Sequence, residues 1–471
     1  MLYAHLPGKA DLDLLGESIF EVLEQVGTVF QNDEILTALE EWGARVDRSS
    51  CVVTFPRRKL EVFVEEIRAE RATSPTPGSV QFRSPELPSV TGSVAQFVYD
   101  DDLPGPRPGR REDLVQLVKL GNALHPDQPV GHAVILRAVP PLLEPLEAAL
   151  VLAEYADDPD APFAWDVRQI PYLEEMGHLL GKERWYSLGA VCMAHPLRFD
   201  KNVADRYVHM MREGLRPAGL TAMPVAGVSA PVTVEGYLVV TAAEFLASWV
   251  VGRALNPRIG LGGSIWAGTT DMKTGHVSYS AFDAMYYAIA TFQFLRAWCG
   301  VTVLVGGGEY SASKAPGSYA ALEKAYKAMT IAAFTGVHRG IGEGMLDNGK
   351  VLSAVQLLLD REFGLGVQHF GRPIVPTEER MALAEILEVG CGRSSHVMTD
   401  HTARWFRQSL WLPRLLARTG WTGAVDETAL LALCRAEAHR LIAEARPPEG
   451  REDLLPKLRA IADRAETDLL A

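Results

Sequence analysis

The runs LTAMPVAG (220–227), IGLGGSIWA (259–267) and VTVLVGGG (301–308) decide the fold. Each is short, apolar and rich in Gly or Ala, and each leads into a longer stretch with helical periodicity. Runs of the same kind flank them: VGHAVIL (130–136), PFAWDV (162–167), YSLGAVCM (186–193) and VHRGIGEGM (337–345), with an eighth expected around 387–398. Helices are expected at 144–155, 200–214, 235–254, 280–298, 318–334 and 349–363. Strands that alternate with helices need crossover connections, and so predict a parallel sheet. Seven or eight such units between about 113 and 400 favour an α/β chain closed into a (β/α)8 TIM-type barrel, placed at residues 91–412.

Outside the barrel the pattern changes. Residues 1–90 predict an N-terminal α+β appendage. Asp11 is expected to cap a helix carrying Leu12, Leu15, Ile19 and Leu23, and Asn32 a second one closed by Gly43. The strand-like CVVTF (51–55) and a third helix opened by Pro56 follow, then a Pro- and Ser-rich linker from Ser74 to Pro88. Residues 413–471 predict a C-terminal helical extension, one helix capped by Asp426 and one running from Glu452. Such added helices pack on the barrel or join a second copy in a homo-oligomer.

The composition suits a globular protein, with 48% hydrophobic and 22% charged residues. A net charge of −13 makes nucleic acid an unsuitable partner. The opening MLYAHLPGKADLDLL lacks a basic-then-apolar signal, and no run reaches the roughly 18 uninterrupted apolar residues of a membrane span. Five scattered cysteines without a CxxC pair read as reduced thiols, and the expectation is a cytoplasmic protein with no membrane partner.

General signatures are missing. Gly308 leads into EYSASK without the second glycine of a phosphate-binding loop, Gly260-Leu-Gly262-Gly does not continue as GxGxxG, and HExxH and GxSxG do not occur. Cys391, His396 and His401 do not match a tetrahedral zinc pattern, so no metal site is expected.

Longer stretches are more specific. MPVAGVSAPVTVEGYLVVTAAEFLASWVV (223–251), GGSIWAGTTDMKTG (262–275), GGGEYSASKAP (306–316), AALEKAYKAM (320–329), GEGMLDNGKVLSAVQLLLDREF (342–363) and EVGCGRSSHVMTDHTARWFRQSLWLPRL (388–415) together resemble the trimethylamine methyltransferase family. RVDRSSCVVTFPRRKLEVF (45–63) has the form of that family's opening, so the likeness runs through the whole chain in order. The resemblance implies a barrel enzyme that hands a methyl group to the cobalt of a separate corrinoid protein. Founding members use a pyrrolysine, which this sequence lacks. Members without it resemble enzymes acting on quaternary amines such as glycine betaine. The chain departs from the family pattern at Ala281-Phe282-Asp283 and at Gly317-Ser318-Tyr319. These departures leave open a lyase or hydrolase on a small amine, or a betaine-binding paralogue without catalysis.

The chemistry implied by the resemblance explains the loss of the special residue. A quaternary nitrogen departs as a neutral tertiary amine and needs no general acid. An onium group has no donor to hydrogen-bond, so aromatic faces and carboxylates must hold it, each ring contributing roughly 0.5–2 kcal/mol. Tyr99, Trp165, Trp266 and Tyr310 are the expected substrate rings, with Asp271, His396 and His401 as polar contacts. Tyr279, Phe282 and Tyr319 are further aromatic candidates. A betaine carboxylate calls for Arg168, His195, His338, Arg339, Arg393, His396 or His401. Gly307, Gly308, Glu309 and Glu343 are the expected catalytic set, the glycines leaving room for a macrocycle and the carboxylates holding the cation or serving a lyase as general base. No DxHxxG corrinoid-binding motif occurs, so no cofactor is expected to be tightly bound, and the corrinoid (a cobalamin) must arrive on its partner protein.

Overall fold

The computed structural model describes residues 8–73, 87–101, 104–337, 340–392, 395–416, 418 and 427–471. It is a mixed α/β structure with several small sheets. The opening region holds α1 (Lys9–Gln25), α2 (Asp33–Trp42) and α3 (Arg57–Thr73) around a four-stranded sheet in the order 45–47, 52–54, 28–30, 198–199. The first helix begins one turn earlier than expected: Gly8 takes the N-cap position, and Asp11 accepts its amide at 3.1 Å. Asn32 and Gly43 cap α2 as predicted, the Asn32 side chain accepting from Ile35 and Gly43 adopting φ +98. The expected Asp426 cap and most of the Ser74–Pro88 linker lie outside the described residues.

From residue 90 onward, extended segments alternate with α4 (Arg111–Leu124), α5 (Glu144–Tyr155), α6 (Ile170–Leu179), α7 (Lys201–Arg212), α8 (Val234–Leu255), α9 (Phe282–Cys299), α10 (Ser318–Thr335) and α11 (Ala354–Gln368). The segments are short, and their pairings are parallel. Ala95 bridges to Val134, Val130 to Pro159, Phe163 to Ser187 and Ala218 to Leu261. Thr221 donates to the Val191 carbonyl, 221–222 pairs with 264–265, and 264–265 pairs with 304–305. Gly342 then donates to the Gly308 carbonyl. Neighbours in sequence are therefore neighbours in space along the whole series.

Two expectations change here. Residues around 387–398 form no strand among the described residues; α13 (Leu383–Val389) occupies part of the stretch, between the one-turn α12 (Glu378–Met381) and α14 (Asp400–Ser409). The additional segment is instead 90–95, which runs beside 130–134 and whose Thr91 and Ser93 hydroxyls both reach Glu343. Polar residues facing inward hid the alternation that marks a strand in sequence. The chain ends with α15 (Glu427–Glu444), packed on α4 and α11, and α16 (Leu455–Leu470), packed on α5 and α6.

α8 is the longest of the described helices, and most of it is buried. Its Phe245, Trp249, Val250 and Val251 are fully buried, and it packs against α1, α2, α7 and α9. Burial of each such large apolar side chain contributes about 1.5–3 kcal/mol. By length and composition α8 could also cross a membrane, yet most of it is covered by protein. Its one buried acid, Glu244, accepts the Leu197 amide at 3.0 Å, and burial pushes its carboxyl up to about 8. A neutral acid is what an apolar helix tolerates.

At Gly252, α8 meets the 218–222 segment so closely that a Cβ would overlap the Ala218 methyl and come within 3.1 Å of the Tyr207 hydroxyl. In an exposed helix, Gly→Ala stabilises by about 1 kcal/mol. Gly252→Ala is expected to do the opposite, lowering the urea-denaturation stability by about 1–3 kcal/mol through overpacking. An unchanged or raised midpoint would contradict this approach of α8 to the segment.

Candidate functional site

The site grows from the turn after residues 304–305. A Cβ at Gly306 would overlap the Trp266 ring, so that glycine lets the indole lie across the backbone. Gly307 has φ +105, a left-handed conformation that favours glycine, and turns the chain there. Its missing side chain faces the Lys327 ammonium group at 3.2 Å. Gly306 and Gly307 thus make room for Trp266 and Lys327.

Trp266 is locked in orientation, its indole N–H donating to Glu309 Oε1 at 2.9 Å. Tyr310 follows directly, its ring packed edge-on to Tyr279 with centroids 6.4 Å apart. Trp266 and Tyr310 line a cavity of about 530 Å³ together with Tyr186, Thr221, Met223 and Arg216. Glu343 accepts from Thr91 at 3.1 Å and keeps part of its surface accessible. Burial, reinforced by the charge of Glu309, pushes the Glu343 carboxyl up to about 7. Two acids, two tyrosines and an indole are therefore gathered in one region.

Beneath them lie two buried lysines from α10. Lys327 donates to Ser280 Oγ at 3.2 Å and to the Tyr310 carbonyl at 3.1 Å, and burial lowers its amine to about 7. Lys324 pairs with Asp360 of α11 at 2.6 Å, both side chains fully buried. Asp360 also accepts from Gln356 at 2.7 Å and from the Gly344 amide at 2.8 Å.

Other expected residues lie elsewhere. Trp165 donates its indole N–H to Glu144 at 2.9 Å and packs on Phe163. Glu144 also faces the buried His132 at 3.0 Å; burial pushes its carboxyl up, but His132, the Leu136 amide and Trp165 together hold it below its ordinary value. Tyr99 lines a separate cavity with Asp101, Arg435 and His439. Asp271 is exposed, and its carboxylate accepts the Lys273 amide at 2.7 Å in a hairpin turn, which holds it below the usual range. His396 and His401 sit on the outer 369–412 stretch, both engaged by Glu385. None of these five lines the Trp266 cavity. Phe282 stacks on Tyr326 and is largely exposed, as is Tyr319.

Arg168 pairs with Asp166 on the surface, and His195 is exposed, so neither reaches the cavity. His338, Arg339 and Arg393 lie outside the described residues. Lys327 had gone unnoticed in the sequence, although Ala320, Lys324, Lys327 and Ile331 share one helical face and all are buried.

This is an α/β protein whose cavity is walled by the Trp266, Tyr310 and Tyr186 rings, with Glu309 behind the Trp266 indole. The chain belongs to the trimethylamine methyltransferase family, whose description matches residues 4–469. It is 25% identical over 288 residues to the trimethylamine methyltransferase MttB2 of Methanosarcina mazei, a match covering 59% of this chain and 55% of the relative. The chain thus spans about half the length of that relative. Two Desulfitobacterium hafniense proteins align nearly end to end. One is a trimethylamine methyltransferase MttB, 24% identical over 98% of this chain and 95% of its own length. The other is a glycine betaine methyltransferase, 23% identical over 96% of this chain and 95% of its own length.

Because Glu343 has a folded value raised from 4.5, it binds its proton more tightly in the folded than in the unfolded state. Its contribution to stability is full below about pH 4.5 and is lost as pH rises toward about 7. Glu343→Gln is expected to flatten that decline, so that above about pH 7 the variant exceeds the parent by at most about 3 kcal/mol relative to their difference near pH 4.5. Parallel stability curves for the two proteins would refute the assignment.

Proposed function

We propose that this chain transfers a methyl group from a quaternary ammonium compound of the glycine betaine type to the Co(I) of a corrinoid carried by a separate protein. The observation that carries this reading is the Trp266 indole, fixed by Glu309 and sharing a cavity wall with Tyr310. An indole whose N–H is bonded to a carboxylate has a more negative face, which strengthens its hold on a cation. Family membership and the two nearly full-length relatives support methyl transfer.

The eight extended segments are read as a closed (β/α)8 barrel. Glu343 of the last segment hydrogen-bonds Thr91 and Ser93 of the first, which supports closure. In the transfer itself the carbon–nitrogen bond breaks with its electron pair left on nitrogen. The acceptor supplies the pair for the new bond, and no proton moves. The residues' task is then to bind, orient and exclude water: Trp266 and Tyr310 hold the onium group, while Glu309 and Glu343 balance its charge. The exposed apolar side chains Phe370, Ile374, Val397 and Met398 support contact with a further chain, either the corrinoid protein or a second copy. The cytoplasm, where reduced cobalt persists, is the proposed location.

A second reading rests on Glu343, whose value of about 7 suits a general base in a lyase or hydrolase. Such an enzyme would turn over an amine without a corrinoid. Under the first reading, the change in visible absorbance from Co(I) to methyl-Co(III) is expected only when amine, enzyme and corrinoid protein are all present. Trp266→Leu is expected to lower kcat/KM for the amine by roughly 3- to 30-fold, the range of one lost cation–ring contact. Full activity in that variant, or consumption of amine without a corrinoid, would overturn the proposal.

A further inference from the structure

Lys327 is fully buried on α10, and its ammonium group stands behind the aromatic wall of the cavity without lining it. It lies over the Tyr310 ring, 6.0 Å from the centroid. It also meets Trp266 across the space that Gly307 leaves: a Cβ there would be 3.2 Å from Lys327 Nζ and 3.4 Å from Trp266 Cδ1. A fixed cation thus backs both rings of the proposed onium site. Hydrogen bonding does not call for a charge at this place. The Tyr310 carbonyl, which Lys327 reaches at 3.1 Å, already accepts the Ser280 hydroxyl at 3.2 Å. Nor does a carboxylate pair with Lys327 among the described residues; the surrounding acids are engaged elsewhere. Glu309 holds the Trp266 indole, Glu323 accepts the Ser311 hydroxyl at 2.7 Å and the Ala312 amide at 2.8 Å, and Asp283 at the start of α9 accepts the Thr269 hydroxyl at 3.0 Å. Glu343 accepts from Thr91 and Ser93, and the neighbouring Lys324 is paired with Asp360.

An ammonium group taken out of water without an anion is costly, and its field is weakly screened in the interior. An onium ion on the cavity side of Tyr310 would stand only about 10 Å away, where two unit charges repel enough to change a binding constant by roughly 2- to 20-fold. The two cations also draw on the same ring and on the same Glu309 charge. We infer that Lys327 governs the entry of the substrate: its ammonium group and the onium group exclude one another, and the cavity accepts the onium group as Lys327 releases its proton to solvent. This rests on the proposed onium site, and adds to it the residue that sets the pH range in which the site fills. Burial lowers the Lys327 amine to about 7 even though Glu309 and Glu323 pull it upward, so the exchange falls near neutral pH. Cation affinity is then low below that value and high above it.

The test is calorimetric titration of the full chain and of its Lys327→Met variant with tetramethylammonium, a cation whose charge does not change with pH, at about pH 5.5 and about pH 9. At about pH 5.5 the variant is expected to bind roughly 2- to 20-fold more tightly than the parent, and at about pH 9 the two are expected to agree within about twofold. Glu343 titrates over the same range in both proteins, so its influence drops out of their ratio. A merely structural role for Lys327 would weaken binding at both pH values. Should Lys327→Met fail to fold, Lys327→Gln removes the charge and keeps a donor for the Tyr310 carbonyl, with the same expected pattern. A variant that binds no more tightly than the parent at about pH 5.5, or one that gains equally at both pH values, overturns the inference. Absence of tetramethylammonium binding by parent and variant alike at both pH values removes the onium reading with it.

Discussion

The Lys324–Asp360 pair is the interaction on which the site depends. Both charges are fully buried, and Asp360 spends its second oxygen on Gln356 while also accepting the Gly344 amide. Gly342, at φ +68, has no side chain because Asp360 occupies that space. Glu343 thus stands between two glycines whose backbone is pinned from below. Gln356 extends the same network by accepting from the Gly317 amide at 2.8 Å, which ties down the far end of the loop that carries Tyr310. A buried ion pair adds little net stability against an apolar replacement, but removal of one partner costs about 3–5 kcal/mol. Its role here is positional: it fixes α10, α11 and two loops into one register.

Most helices were legible in the sequence because their signals are local. The predicted 144–155 helix coincides with α5, and α8, α9 and α10 begin and end within two residues of expectation. The extended runs were legible as runs, since Gly- and Ala-rich apolar stretches between helices leave few other choices. Segment 90–95 was not, because Thr91 and Ser93 turn hydroxyls inward to Glu343. The region around 387–398 was misread for the opposite reason: its short apolar run lies on the surface of this chain, where Ile386 and Leu387 remain exposed.

The site divides in the same way. Gly306, Gly307, Glu309, Trp266 and Tyr310 could be found because they fall at the ends of the extended runs. Lys327 could not, because a basic residue in a helix ordinarily reads as solvated surface. Only the packing of α10 against the interior gives it a different meaning. Tyr99, Trp165, Asp271, His396 and His401 stood out in the sequence by residue type alone, and none of them lines the cavity that Trp266 and Tyr310 share.

The small side chains of the extended segments have a consequence for how such a protein can diverge. Gly262, Gly263, Gly306, Gly307 and Gly308 bring little apolar surface of their own, so the cohesion of the chain rests on the enveloping helices, α8 above all. Recognition and structural integrity are carried by separate sets of atoms. Exchange of a wall residue such as Met223 or Thr221 reshapes the chamber while leaving the scaffold's energetic reserve in place. Evolution can therefore retune what enters such a chamber without rebuilding its shell.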